Sequence, residues 1–174
     1  MTETLRLFFA GVLLAVMVPW YAARADDSKE YAVKAAYLYN FTKFIEWPET
    51  PDKIINLCVV GDNPFGNALQ LLEKKKSGSY TLAVRERVTK SNIHTCQVIF
   101  IRTGASEREA LLKYLEGKPV LTVSDGEGFA KSGGMIGFVM LHNRVKLEIN
   151  TKAMQKVNLQ VDPTLLEIAL RVVD

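Results

Sequence analysis

The chain has 174 residues with 22 basic and 19 acidic side chains, two histidines and two cysteines. That balance excludes a nucleic-acid binder, whose basic footprint shows in the count. The length suits one domain with a self-sufficient core, and no internal repeat or linker divides it.

The first element is a leader. Arg6 and the amino terminus form a positive n-region, Leu7 to Trp20 carries no charge, and Ala23-Arg24-Ala25 gives a small-x-small cleavage pattern. A run of this length is too short for a spanning helix, which takes about 20 apolar residues, and it fits a secretory signal over residues 1–25. Residues 26–174 are then an exported domain. The leader holds two of the basic residues and one of the acidic, so the remainder stays close to neutral.

The aromatic stretch KAAYLYNFTKFIEWPE predicts a helix from Glu30 to Ile45. Tyr37, Leu38, Phe41, Phe44 and Ile45 share one face, and Pro48 ends the helix near Trp47. A membrane-surface helix carries a densely basic polar face, and this one is sparsely charged, so the stripe is read as packing on a sheet. Tyr39 and Trp47 lie off the stripe and are the candidates for partner contact. Asn40-Phe41-Thr42 matches a glycosylation sequon, read as coincidence beside a core aromatic.

IINLCVVG is a buried strand. DNPFGNALQLLEKKK is expected to be a helix capped by Asp62 or Asn63, with Pro64 in its first turn and three lysines at its C-terminal end. YTLAVRERV reads as a half-exposed strand and CQVIFIRTG as a buried one. Ser106 to Glu109 fits a capping box, opening a helix with Leu111, Leu112 and Leu115 that stops at Gly117. VLTVS is another buried strand. GGMIGFVML and RVKLEI form a hairpin about His142-Asn143, and the alternation of Val145, Leu147 and Ile149 with Lys146 and Glu148 leaves one face wet. Two helices close the chain, the last from Asp162-Pro163 with Leu165, Leu166, Ala169 and Leu170 inward. Strands alternating with helices give an α/β class: a three-layer α/β/α arrangement with a mixed, mostly parallel sheet and a late antiparallel hairpin.

Chemical motifs are few. GDNPFG (61–66) follows a strand, but Asn63 replaces the middle glycine of a dinucleotide fingerprint and Pro64 removes an amide; it reads as a capped turn. SDGEGFAKSGG (124–134) also follows a buried strand, where ligand crevices form. It is either a flexible loop or a ligand or contact loop, with Asp125 and Glu127 beside Asp62 and Asn63 as candidate residues. No serine has a nucleophile-elbow motif. His94 and Cys96 lack the companions a zinc site takes, and His142 falls in a turn. No catalytic residue, metal ligand or cofactor site is expected. In an oxidising compartment an even cysteine count makes a Cys58–Cys96 disulfide the default, the other reading being two separate buried thiols. Closing 38 positions stabilises a chain by roughly 4 kcal/mol.

KAAYLYNFTKFIEWP, CVVGDNPFG, CQVIFI, SDGEGFAKSGGMIGF, VKLEIN and LLEIAL, in that order and spacing, resemble the YfiR family of exported bacterial proteins. The resemblance covers nearly the whole mature chain. It implies a pairing of Cys58 with Cys96. It also implies a non-catalytic periplasmic protein that represses the periplasmic part of an inner-membrane diguanylate cyclase, tuning cyclic di-GMP output and biofilm formation. Some members carry a second cysteine pair around the glycine-rich loop; this chain has none there. Family members form homodimers, a state the sequence neither shows nor excludes. A periplasmic small-ligand binding module is the alternative.

Overall fold

The computed structural model describes residues 19–173 apart from Arg87, with side chains from Asp27 onward. The apolar run of the expected leader lies almost wholly outside the described residues. Helix α1 (Pro19–Phe44) carries the aromatic stripe. Leu38, Phe41 and Ile45 are buried, with Tyr37 and Phe44 half-buried beside them. The helix stops at Phe44, one residue before the expected end at Ile45, because Ile45–Glu46 (β1) pairs antiparallel with Gln160–Val161 (β9). Its last carbonyls are satisfied there: the Asp162 amide donates to Phe44 O at 2.7 Å, and Trp47 Nε1 donates to Thr42 O at 3.1 Å.

The remaining strands are β2 (Ile54–Gly61), β3 (Lys76–Ser77), β4 (Tyr80–Arg85), β5 (Val98–Arg102), β6 (Leu121–Ser124), β7 (Ile136–Leu141), β8 (Arg144–Asn150) and β10 (Arg171–Val173). They form one sheet in the order β10-β8-β7-β6-β5-β2-β4-β3. Every ladder is parallel except β7/β8 and β3/β4. The expected mixed, mostly parallel sheet with a late hairpin is therefore present. His142 and Asn143 both adopt left-handed backbone angles, φ 49° and 56°, as a two-residue hairpin turn requires.

Alternation along the strands divides the core. Ile55, Leu57, Val59, Val98, Phe100, Leu121, Val123, Ile136 and Phe138 face α1. Cys58, Ile99 and Ile101 face the other way, onto Leu111 and Leu115 at the end of α2 (Ala105–Tyr114) and onto Phe129. The Cys58–Cys96 disulfide lies in this second layer, with Cα atoms 6.0 Å apart. On the first layer Phe41 stacks beside Phe138 with centroids 6.0 Å apart, and Phe100 lies tilted against the same ring at 6.4 Å.

Four local expectations fail. Residues 62–76 form no α-helix: Gly66 turns left-handed at φ 52°, only Gln70–Leu72 coils as a 3₁₀ turn, and Lys76 enters β3. Burial of Phe65, Leu69 and Leu72, together with hydrogen bonds from Lys74 N to Leu82 O and Leu82 N to Lys75 O, outweighs helix propensity there. The residue before α2 is Gly104, with no side-chain cap, so Ser106 sits inside the first turn instead of capping it. Glu148 is buried at 7% exposure instead of wet, because β10 pairs with β8 and brings Arg171 Nη1 to 3.1 Å from Glu148 Oε1. Leu170 is exposed instead of inward, since its amide donates to Leu147 O as the chain leaves the helix for β10. The two late helices are α3 (Thr151–Gln155) and α4 (Pro163–Glu167), the latter capped by Asp162, whose Oδ1 accepts from Thr164 N at 2.8 Å.

Candidate functional site

The carboxyl ends of parallel strands leave backbone groups and loops free of the ladder, and a crevice forms there between neighbouring crossovers. Here a cleft of about 650 Å³ opens beyond β5 and β6, between the middle of α1 and the glycine-rich loop that follows Ser124. Helical spacing puts Glu30, Tyr31 and Lys34 on its wall. Arg102 enters from the end of β5, and Asp125 from the loop.

These side chains form one network. Lys34, 2% exposed, places Nζ at 2.8 Å from Asp125 Oδ2 and 2.5 Å from Glu30 Oε1. The Tyr31 hydroxyl donates to the same Asp125 oxygen at 2.7 Å and accepts from Arg102 Nη1 at 2.7 Å. Lys34 Nζ also lies 4.2 Å from the Tyr31 ring centroid, and that ring meets Phe65 edge-on at 5.4 Å. Buried Lys34 faces two carboxylates, and the exposed Arg102 at the mouth of the cleft supplies the second positive charge that balances them.

The electrostatics follow from that geometry. Burial pushes the Asp125 carboxyl up, but hydrogen bonds from Lys34 and Tyr31 and the charges of Lys34 and Arg102 outweigh it and hold the carboxyl below its ordinary value. Burial and the Asp125 carboxylate raise the Tyr31 hydroxyl well above the usual tyrosine range. The site is a hydrogen-bonded ion cluster that ties α1 to the glycine-rich loop.

The loop itself packs against the sheet through Ser124 and Phe129. Ser124 Oγ donates to Ile101 O at 2.7 Å and accepts from Gly126 N at 3.0 Å. Gly134 lies beneath the buried Phe129 ring, where a Cβ would stand 2.3 Å from Cε1. Gly61, at φ 89°, approaches Arg102 O so closely that a Cβ would lie 2.0 Å from it.

Of the residues singled out from sequence, Asp125 sits inside the network and Glu127 on the exposed rim of the cleft. Asp62 and Asn63 do not line it; Asn63 Oδ1 accepts from Phe65 N at 2.9 Å and holds the turn after β2. Tyr39 and Trp47 lie at the far end of α1, half-buried against the core, where the Tyr39 hydroxyl donates to Lys76 O at 2.8 Å. Within the sequon Phe41 and Thr42 are both buried. Sequence reasoning missed Tyr31, Lys34 and Arg102. A signal for Lys34 existed: it falls on the same helical stripe as Leu38, Phe41 and Ile45, and a lysine on an apolar stripe requires a buried counter-ion. Among the described residues, no three His, Cys, Asp or Glu side chains converge as metal ligands, and no helix is long and apolar enough to cross a membrane.

The architecture is similar to that of the ABC domain in complex with L-Trp from Streptococcus pneumonia, with a TM-score of 0.53 and 12% identity. The match takes in 80% of this chain and 60% of that domain, so this chain spans about three fifths of the domain's length, and the likeness is one of fold. A family model described as YfiR/HmsC-like matches residues 31–170, from Tyr31 in the cleft wall to the residue before β10, and the chain belongs to the YfiR/HmsC-like family.

Proposed function

We propose that the protein is a periplasmic regulator that binds the periplasmic part of an inner-membrane diguanylate cyclase and holds it inactive. The observation that carries this reading is the family match over residues 31–170 in a chain whose two cysteines are joined, a state typical of an oxidising compartment. A binding protein represses only by preferring the inactive conformation of its partner, and a crosslinked, fully packed domain presents one fixed surface for doing so. No bond-making step is assigned to it. Deleting the gene in a strain that carries the partner cyclase raises cyclic di-GMP, and the cyclase co-purifies with the protein from envelope extracts. An unchanged cyclic di-GMP level in that strain rejects the reading.

A second reading is favoured by the cleft: a module that takes a small ligand beside Arg102 and the glycine-rich loop. A thermal-shift screen with periplasmic metabolites tests it, because a ligand specific for the native state raises the unfolding temperature by mass action.

A further inference from the structure

Lysines from two separate parts of the chain meet at the β3 edge of the sheet. Lys74, Lys75 and Lys76 are exposed along the edge. Lys43 reaches the same place from α1: its Nζ lies 4.1 Å from the Tyr39 ring centroid, and Lys75 Nζ lies 5.6 Å from the same ring. None of the four forms an ion pair with a described carboxylate. The acid of this segment, Glu73, is engaged elsewhere, its Oε2 accepting from Val84 N at 2.6 Å. In the same turn stands Leu71, 72% exposed, the most exposed large apolar side chain among the described residues.

We infer that this edge docks on an anionic lipid bilayer, with the four ammonium groups at headgroup level and Leu71 dipping into the interface. Lysine is depleted from protein–protein interfaces, whereas lysines grouped around an apolar side chain are the pattern of peripheral bilayer binding. Lysines on an edge strand also guard against sheet-to-sheet aggregation. That explains Lys75 and Lys76 but neither Lys43, which is on a helix, nor Leu71. Each lysine near an anionic leaflet strengthens binding about fivefold, so one alone anchors nothing and four act together. Such docking would fix which face of the domain points toward a membrane-embedded partner.

The exported protein, purified from periplasmic extract, is mixed with phosphatidylcholine vesicles or with vesicles in which phosphatidylglycerol replaces half the phosphatidylcholine, and co-sedimentation is measured. Binding is expected only to the anionic vesicles, weakening as salt rises. Lys43→Gln/Lys74→Gln/Lys75→Gln loses about a hundredfold with an unchanged unfolding temperature. Leu71→Ser loses about fivefold with the salt dependence kept. A charge-matched control, Lys113→Gln/Lys152→Gln/Lys156→Gln, retains binding. Equal binding to both vesicles overturns the inference; so does equal loss in the control, or capture of an acidic protein by the edge with no vesicle binding. The assay contains no cyclase, so its failure leaves the regulatory reading standing, and loss of cyclase repression leaves the vesicle result standing.

Discussion

The middle of α1 and its C-terminal end handle charge in opposite ways. In its middle, Lys34 is enclosed by Glu30, Asp125 and Tyr31, and the exposed Arg102, bound to the Tyr31 hydroxyl, balances the second carboxylate. At its rear the helix is held by uncharged contacts: Thr42 Oγ1 donates to buried Ser77 Oγ at 2.9 Å, and Tyr39 donates to Lys76 O. The lysines there stay in solvent, with no ion pair to a carboxylate among the described residues. Buried charge fixes the position of the helix, because only one arrangement satisfies it; exposed charge leaves position alone and sets the field a partner meets. Stability should therefore depend on the Lys34 cluster and hardly at all on the rear lysines.

The crosslink on the opposite face of the sheet sets the scale. Cys58→Ala/Cys96→Ala is expected to lower unfolding free energy by about 4 kcal/mol, read from the denaturant midpoint. Lys34→Ala strands two carboxylates in a largely buried site and should cost about 3 kcal/mol, or about 6–12 °C in unfolding temperature; a loss no larger than that of an exposed lysine would break the contrast. Acid sharpens it. Asp125 has a folded-state pKa below its unfolded value of about 3.9, so its contribution is fully present above that pH and is lost as pH falls through the folded value. Stability measured in steps below about pH 4 should fall more steeply for the parent than for Asp125→Asn. At the rear, Tyr39→Phe removes one hydrogen bond and should cost about 1 kcal/mol. Lys43→Gln should change stability by no more than about 0.5 kcal/mol.

The strands and the stripe of α1 were legible because one-dimensional periodicity records which face is buried, and the expected boundaries of IINLCVVG coincide with β2. Residues 62–76 were misread for the converse reason. Phe65, Leu69 and Leu72 recur at helical spacing, yet what places them in the core is a turn held by Gly66 and by pairing with β4. Glu148 looked wet because β10, its cover, is a strand of three residues following a helix and carries little pattern of its own. The glycine-rich loop was located, with Asp125 in it, but its partners lie 91 and 94 positions away in the chain. Contacts at such separation leave no local spacing to detect. Only the oddity of Lys34 within an apolar stripe pointed toward them.

Cys58 and Cys96 are the only cysteines in the chain. Within one molecule they admit a single pairing, so no scrambled isomer competes with the native one. Maturation then calls for an electron acceptor alone, with no isomerase to reshuffle bonds. Cells lacking reshuffling enzymes but keeping their thiol oxidase should still accumulate the finished protein.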